Sequence, residues 1–110
     1  MSYVPEQGDL VWLDFDPSSG KEIKKRSPAF IISREIFHQR THMAIVAPIT
    51  STVRSGKLEV ILTDEMKTKG AILVYQLKSI DFADRNIKFI EKSPVNLLKQ
   101  VLAIAQILVQ

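Results

Sequence analysis

Strand-length apolar runs recur along most of this chain, and each is cut off by turn formers before a helical period can develop. The runs fall at 8–15, 28–33, 43–49, 58–62, 70–75 and 87–91. A chain patterned this way must pair strands, because no run before residue 93 has the length or spacing of a helix long enough to bury a face. Only the last stretch differs. After Ser93-Pro94, read as N-cap and first helical residue, Val95, Leu98, Val101, Leu102, Ala105, Leu108 and Val109 share one side of a helix. Asn96, Lys99, Gln100, Ala103, Gln106 and Gln110 form the opposite stripe, and Leu97, Ile104 and Ile107 widen the apolar side. The expectation is a mainly β, α+β fold: a small barrel closed by a C-terminal helix, forming one domain over 1–110.

Local signals refine this expectation. Pro48 inside 43–49 predicts an edge strand or a strand end. The run at 70–75 is the most apolar and reads as a central strand, continuing with a bend through 76–81. Residues 34–42 break the strand pattern and read as a short helix capped by Ser33 and anchored by Ile36 and Phe37. His38 and His42 are four apart, a spacing compatible with a metal, but no third ligand is evident and exposed or loop histidines are the expectation. No cofactor is expected.

The chain of 110 residues has no Cys, which excludes a disulfide framework and thiolate metal sites and fits a reducing, cytoplasmic setting. The first residues show neither a basic nor an apolar signal region, and no apolar run approaches the ~20 residues that span a bilayer. A net charge of +3 permits nucleic-acid binding without demanding it.

The charged segment between the first two runs is the candidate site. Asp16-Pro17 and Ser18-Ser19-Gly20 signal a turn, and Lys21, Lys24, Lys25 and Arg26 place four cations within six residues. Such a loop suits a phosphate-bearing partner, or is simply a solvated loop. RNA carries its own nucleophile, the 2′-hydroxyl. Cleaving it requires removal of that proton, stabilisation of a charged phosphorane and protonation of the leaving oxygen, with no metal. Arg meets the developing charge better than Lys, and a Ser or Thr hydroxyl can add a hydrogen bond.

The segment Gly8-Asp9, Asp16-Pro17, Gly20, Glu22, Pro28 and Ser33 resembles the N-terminal signature of the MazF/PemK family of toxin endoribonucleases. Ala47-Pro48-Ile49-Thr50 is similar to that family's catalytic threonine segment, and Gln76-Leu77-Lys78-Ser79-Ile80 to its Gln-Val-Lys-Ser-Ile segment. The resemblance implies an SH3-like barrel with a terminal helix, a homodimer, and sequence-specific, metal-independent cleavage of single-stranded mRNA that arrests growth. It implies a catalytic role for Thr50 and RNA contacts by Glu22, Ser51, Thr52, Gln76 and Lys78, while the cationic loops add Lys24, Lys25 and Arg54 as candidate RNA contacts. It also implies an antitoxin whose acidic, disordered segment covers the basic loop.

One departure stands at the centre of the site. Ser27 occupies the place of the family's catalytic Arg directly before the Pro, and Arg26 lies one residue earlier. Three readings are open: Arg26 reaches the phosphate, the chain is an impaired member that still binds RNA, or Ser27 is a substitution that made a toxic product tolerable. A different class of function is a non-catalytic RNA- or protein-binding barrel. A related toxin barrel poisons DNA gyrase through its last helix, although this C-terminus lacks the aromatic residue expected for that.

Overall fold

The computed structural model describes residues 3–15, 26–52, 56 and 58–109. Strands β1 (Asp9–Asp14) and β2 (Arg26–Ile31) pair antiparallel, with Leu10 opposite Phe30 and Leu13 opposite Ser27. A short helix, α1 (Glu35–Thr41), leads to the long strand β3 (Met43–Thr50). Strands β4 (Glu59–Ile61) and β5 (Ala71–Leu73) are followed by a 3-10 turn, Val74–Gln76, and then β6 (Lys78–Asp81). A second 3-10 turn, Phe82–Asp84, precedes β7 (Lys88–Lys92), and helix α2 (Val95–Val109) completes the chain.

The sheet runs β4-β5-β3-β2-β1-β7, with β6 also paired to β3. Among the described residues no ladder joins β4 to β7, so the sheet curls without closing and matches an open SH3-like barrel. Strand alternation sends side chains into two cores. One, beneath α2, holds Leu10, Phe30, Ala47, Ile49, Val60, Ile72, Leu97 and Val101. The other holds Val11, Leu13, Ala29, Ile31, Ala44, Val46, Ile80 and Phe82. Helix α2 thus seals the first core along the Leu97–Val101 line, while Leu98, Leu102, Ile104 and Ala105 pack at its margins.

Several local expectations are corrected. Pro48 is not at an edge: β3 lies between β2 on one side and β5 and β6 on the other. β6 pairs with β3 only up to Val46 and β5 only from Ile49, so Ala47 and Pro48 lie where β3 changes neighbours. A residue without an N–H is tolerated at such a gap in the ladder. The apolar run at 70–75 yields only a short strand before its chain turns in the 3-10 segment.

Ser33 does not cap α1. Arg34 holds the N-cap position without a side-chain bond, and Ile36 is 55% exposed. The buried residue of that helix is His38, which is not an exposed histidine. Its Nδ1 lies 2.7 Å from the Pro5 carbonyl and its Nε2 2.6 Å from Ser33 Oγ. A carbonyl can only accept, so Nδ1 carries the proton and Nε2 accepts from Ser33, whose oxygen in turn accepts the Ile45 N–H at 2.8 Å. Both ring nitrogens are committed to protein groups, which leaves neither for a metal.

At α2 the first helical bond runs from Leu98 N–H to the Pro94 carbonyl, so Pro94, not Ser93, takes the N-cap position. The helix is also rotated from the expected stripe: Val95, Ile107 and Val109 are exposed, and Leu97 is buried.

Candidate nucleic-acid interface

The second core's face continues past its apolar residues into an open cleft. Along β1 the positions 11 and 13 face that core, and Phe15 is the next residue in the alternation. In β2, Ala29 and Ile31 lead back to Ser27. In β3, Ala44 and Val46 lead on to Pro48, and in β6, Ile80 leads back to Lys78. Phe15, Ser27, Pro48 and Lys78, with Ile49 and Gln76, line this cleft of about 320 Å³. Four strands therefore place their next same-face residues round one opening, which is why side chains far apart in sequence meet there.

Thr50 ends β3 and is half-buried, directly after Pro48 and Ile49. The β2–β3 register pairs Ala29 with Pro48. Beyond Pro48 the paired neighbour of β3 is β5, with Thr50 opposite Ala71. Thr50 Oγ1 accepts the Thr52 N–H at 3.1 Å, turning the chain sharply after the strand, and Ser51 and Thr52 are exposed there. The backbone beside Thr50 is held by close approach of Gly70. That residue has φ +120°, and a Cβ there would collide with the Thr50 carbonyl.

Lys78 projects from the first residue of β6. Its Nζ lies 5.2 Å from the centre of the Phe15 ring and 3.5 Å from the Phe15 carbonyl oxygen. Arg85 clamps the same end of β1, donating to the Asp14 carbonyl at 3.3 Å and to the Phe15 carbonyl. Gln76 is exposed, and its amide donates to the Tyr75 hydroxyl at 3.3 Å.

Arg26 is not among the residues lining the cleft. It alternates with Ser27, pairs with Asp14 across the β1–β2 ladder and sits 3.6 Å from that carboxylate. Its guanidinium donates to the Asn86 carbonyl at 2.8 Å. Ser27, Gln76 and Lys78 are thus brought together; Thr50 follows the lining residue Ile49 but does not itself line the cleft, and Arg26 is held elsewhere. Glu22, Lys24, Lys25 and Arg54 lie outside the described residues. Phe15, Pro48 and Ile49 were not among the candidate site residues of the sequence. The alternations 11–13–15 and 44–46–48 carry the signal for the first two, but only once the core face of each strand is known. Among the described residues, no group of three or more His, Cys, Asp or Glu side chains is placed to hold a metal ion.

An open SH3-like sheet, sealed by one C-terminal helix and bearing a cleft of mixed polar and apolar lining at the end of β3, defines a small SH3-like barrel protein. The sequence places it further. A family model described as PemK-like, MazF-like toxin of type II toxin–antitoxin system matches residues 6–109, and the chain belongs to that family. It is 36% identical over 83 residues to the endoribonuclease toxin MazF of Escherichia coli K12, covering 76% of this chain and 74% of that protein. It is 33% identical to the endoribonuclease toxin ChpB of the same strain, covering 96% and 94%. Among solved structures, MazF of Deinococcus radiodurans superposes with a TM-score of 0.88 at 30% identity, over 98% of both chains. A chain of the MazE–MazF structure from that organism superposes with 0.90 at 30% identity, over 98% of this chain and 97% of that one.

Proposed function

We propose that this chain is the toxin of a type II toxin–antitoxin pair and acts as a sequence-specific, metal-independent endoribonuclease on single-stranded mRNA, inhibiting translation and growth. The observation that carries this reading is the family match over residues 6–109, with relatives named as endoribonucleases. The cleft supports it, since it joins an amide, a hydroxyl and an ammonium beside Thr50.

The 2′-oxygen attacks phosphorus, the bond to the 5′-oxygen breaks, and a cyclic phosphate and a 5′-hydroxyl result. One proton leaves the 2′-oxygen and one reaches the 5′-oxygen, so the exchange balances through water. Thr50 donates a hydrogen bond to the phosphorane oxygens, and Ser27 adds a second hydroxyl. Gln76, Ser51 and Thr52 hold the strand, together with Glu22, Lys24, Lys25 and Arg54 of the flanking loops. Arg26, beside the Asp14 carboxylate and bound to the Asn86 carbonyl, lies outside the cleft.

The partner reading follows from the MazE–MazF structures among the similar ones: an antitoxin with an acidic segment covers the basic loop and competes with RNA. The chain acts as a homodimer in the cytoplasm. Support for the dimer is the apolar flank of α2 on which Val95 and Val109 remain exposed. No helix among the described residues is long and apolar enough to cross a membrane.

The test is incubation with a long single-stranded RNA in EDTA. The expected result is cleavage at few sites that survives chelation and falls about a hundredfold or more in Thr50→Ala. Equal cutting by Thr50→Ala, or dependence on added metal, refutes the mechanism. A second reading is favoured by one observation: Ser27 stands in the place that the family resemblance gives to Arg, while Arg26 is tied to Asn86 and Asp14. On that reading the chain binds RNA without turnover, and the same assay would show retention of RNA with no cleavage.

A further inference from the structure

We infer that Lys78 is the phosphate-stabilising cation of this chain, filling the electrostatic role that Ser27 cannot. This rests on the endoribonuclease reading above. Ser27 supplies a hydroxyl but no charge. Among the described residues that line the cleft, Lys78 is the one charged side chain. The guanidinium nearest in sequence, that of Arg26, is occupied by the Asn86 carbonyl and the Asp14 carboxylate.

The geometry of Lys78 fits the task. Its backbone is fixed by the β6–β3 ladder, where it pairs with Val46, and its strand is anchored two residues on by the buried Ile80. Its stem is therefore placed, while its head is not consumed. The Phe15 carbonyl at 3.5 Å is at the limit of a hydrogen bond, and the Phe15 ring at 5.2 Å offers only a cation–π contact at an exposed site. Both hold the ammonium across the cleft from β6 to the end of β1. Neither competes with a phosphodiester, whose full charge gives a shorter and stronger contact. An ammonium has three rotatable donors in place of the guanidinium's fixed fork, so it can meet one non-bridging oxygen while the Ser27 hydroxyl meets the other. Lys78 gives up no proton in this role. It binds charge that grows as the phosphorane forms.

The experiment measures kcat and KM for single-stranded RNA cleavage in EDTA by the unmodified protein, Lys78→Ala, Lys78→Arg, Arg26→Ala, Ser27→Arg and the double variant Ser27→Arg/Lys78→Ala. The proposal expects cleavage by the unmodified protein. It expects a fall of about a hundredfold in kcat for Lys78→Ala, recovery to within about tenfold in Lys78→Arg, and a loss below about tenfold when Lys78 is removed beside Arg at 27. Retained activity in the double variant, which carries the same Lys78→Ala change, also excludes misfolding as the cause of the loss. The proposal is overturned by a Lys78→Ala rate within about threefold of the unmodified protein, by a loss confined to KM, or by an equal loss in both backgrounds. A larger loss in Arg26→Ala than in Lys78→Ala overturns it too. Cleavage by Ser27→Arg but not by the unmodified protein overturns it while leaving the toxin mechanism intact. Absence of cleavage in both defeats the endoribonuclease reading as well.

Discussion

Lys92 Nζ lies 2.7 Å from the carboxylate of Asp9, a residue only 1% exposed, and 2.7 Å from that of Glu6. Asp9 also accepts from the Tyr3 hydroxyl and from the Glu6 N–H at 3.0 Å, so one buried carboxylate gathers the N-terminal segment, β1 and β7.

Lys92→Met removes the ammonium and leaves that carboxylate short of a donor. A loss of about 1–3 kcal/mol is expected in urea melts at neutral pH, at the low end because Lys92 is largely exposed. The hydrogen bonds to Asp9 and Glu6 hold the Lys92 ammonium above the ordinary lysine value, and burial followed by the Asp9 bond pushes the Tyr3 phenol up. Both groups have raised folded-state values. Their contribution is complete below the ordinary lysine and tyrosine range and is lost as pH rises through the raised values. Alkaline melts of Lys92→Met are expected to lack the lysine part of that decline.

Ser33→Ala leaves the buried Nε2 of His38 and the Ile45 N–H without their shared partner. Destabilisation of about 1–3 kcal/mol is expected, largely restored by Ser33→Thr, whose hydroxyl can take both bonds. In the native protein the nitrogen shifts of His38 are expected to report the Nδ1–H tautomer.

Glu91 holds the 64–68 turn through three bonds, accepting the Lys67 N–H at 3.0 Å, the Thr68 N–H at 2.8 Å and the Thr68 hydroxyl at 2.7 Å. Burial pushes its carboxyl up, but these hydrogen bonds outweigh burial and leave it below the usual value. A lowered folded-state value gives stability that is present above the ordinary glutamate range and lost as pH falls through the lowered one. Glu91→Gln is expected to cost about 1 kcal/mol at neutral pH, to flatten the acid limb of the stability curve, and to speed amide exchange at Lys67 and Thr68.

Leu97→Ala opens a cavity against a sealed core and is expected to cost about 2–5 kcal/mol, whereas Val95→Ala, two residues away, stays within about 0.5 kcal/mol. Chemical melts of the pair test the rotation of α2, because the two residues are 2% and 67% exposed.

Gly70→Ala is strained by its positive φ and by the Thr50 carbonyl that its Cβ would strike. Loss of more than about 1 kcal/mol is expected, with a fall in RNA cleavage greater than the unfolded fraction explains, since the collision displaces the strand end carrying Thr50. Full activity in a variant that melts lower would separate that strand end from the chemistry.

The strands and the terminal helix were legible because turn residues cut the apolar runs to strand length and only the last stretch repeats at helical spacing. The position of Pro48 was misread because a proline signals a missing ladder bond, and local sequence cannot say that β3 changes neighbours there. The facing of α2 was misread because its apolar stripe is wider than the sheet it covers, so periodicity defined the stripe but not its centre. His38 was read as exposed because one of its partners, the Pro5 carbonyl, is 33 residues away. At the site, Ser27, Thr50, Gln76 and Lys78 came from resemblance to a family pattern. Phe15 and Pro48 needed the sheet, since their part is to carry the core face outward to the cleft.

Alternation along β2 has a consequence for the length of the loop before it. Arg26 and Ser27 sit on opposite sides of the strand, so no side-chain rotation exchanges them. Excising residue 27 alone would abut Arg26 on Pro28 and turn its guanidinium toward Lys78. One codon of spacing, with no change in composition beyond a lost serine, therefore decides whether this arginine braces the fold or lines the cleft.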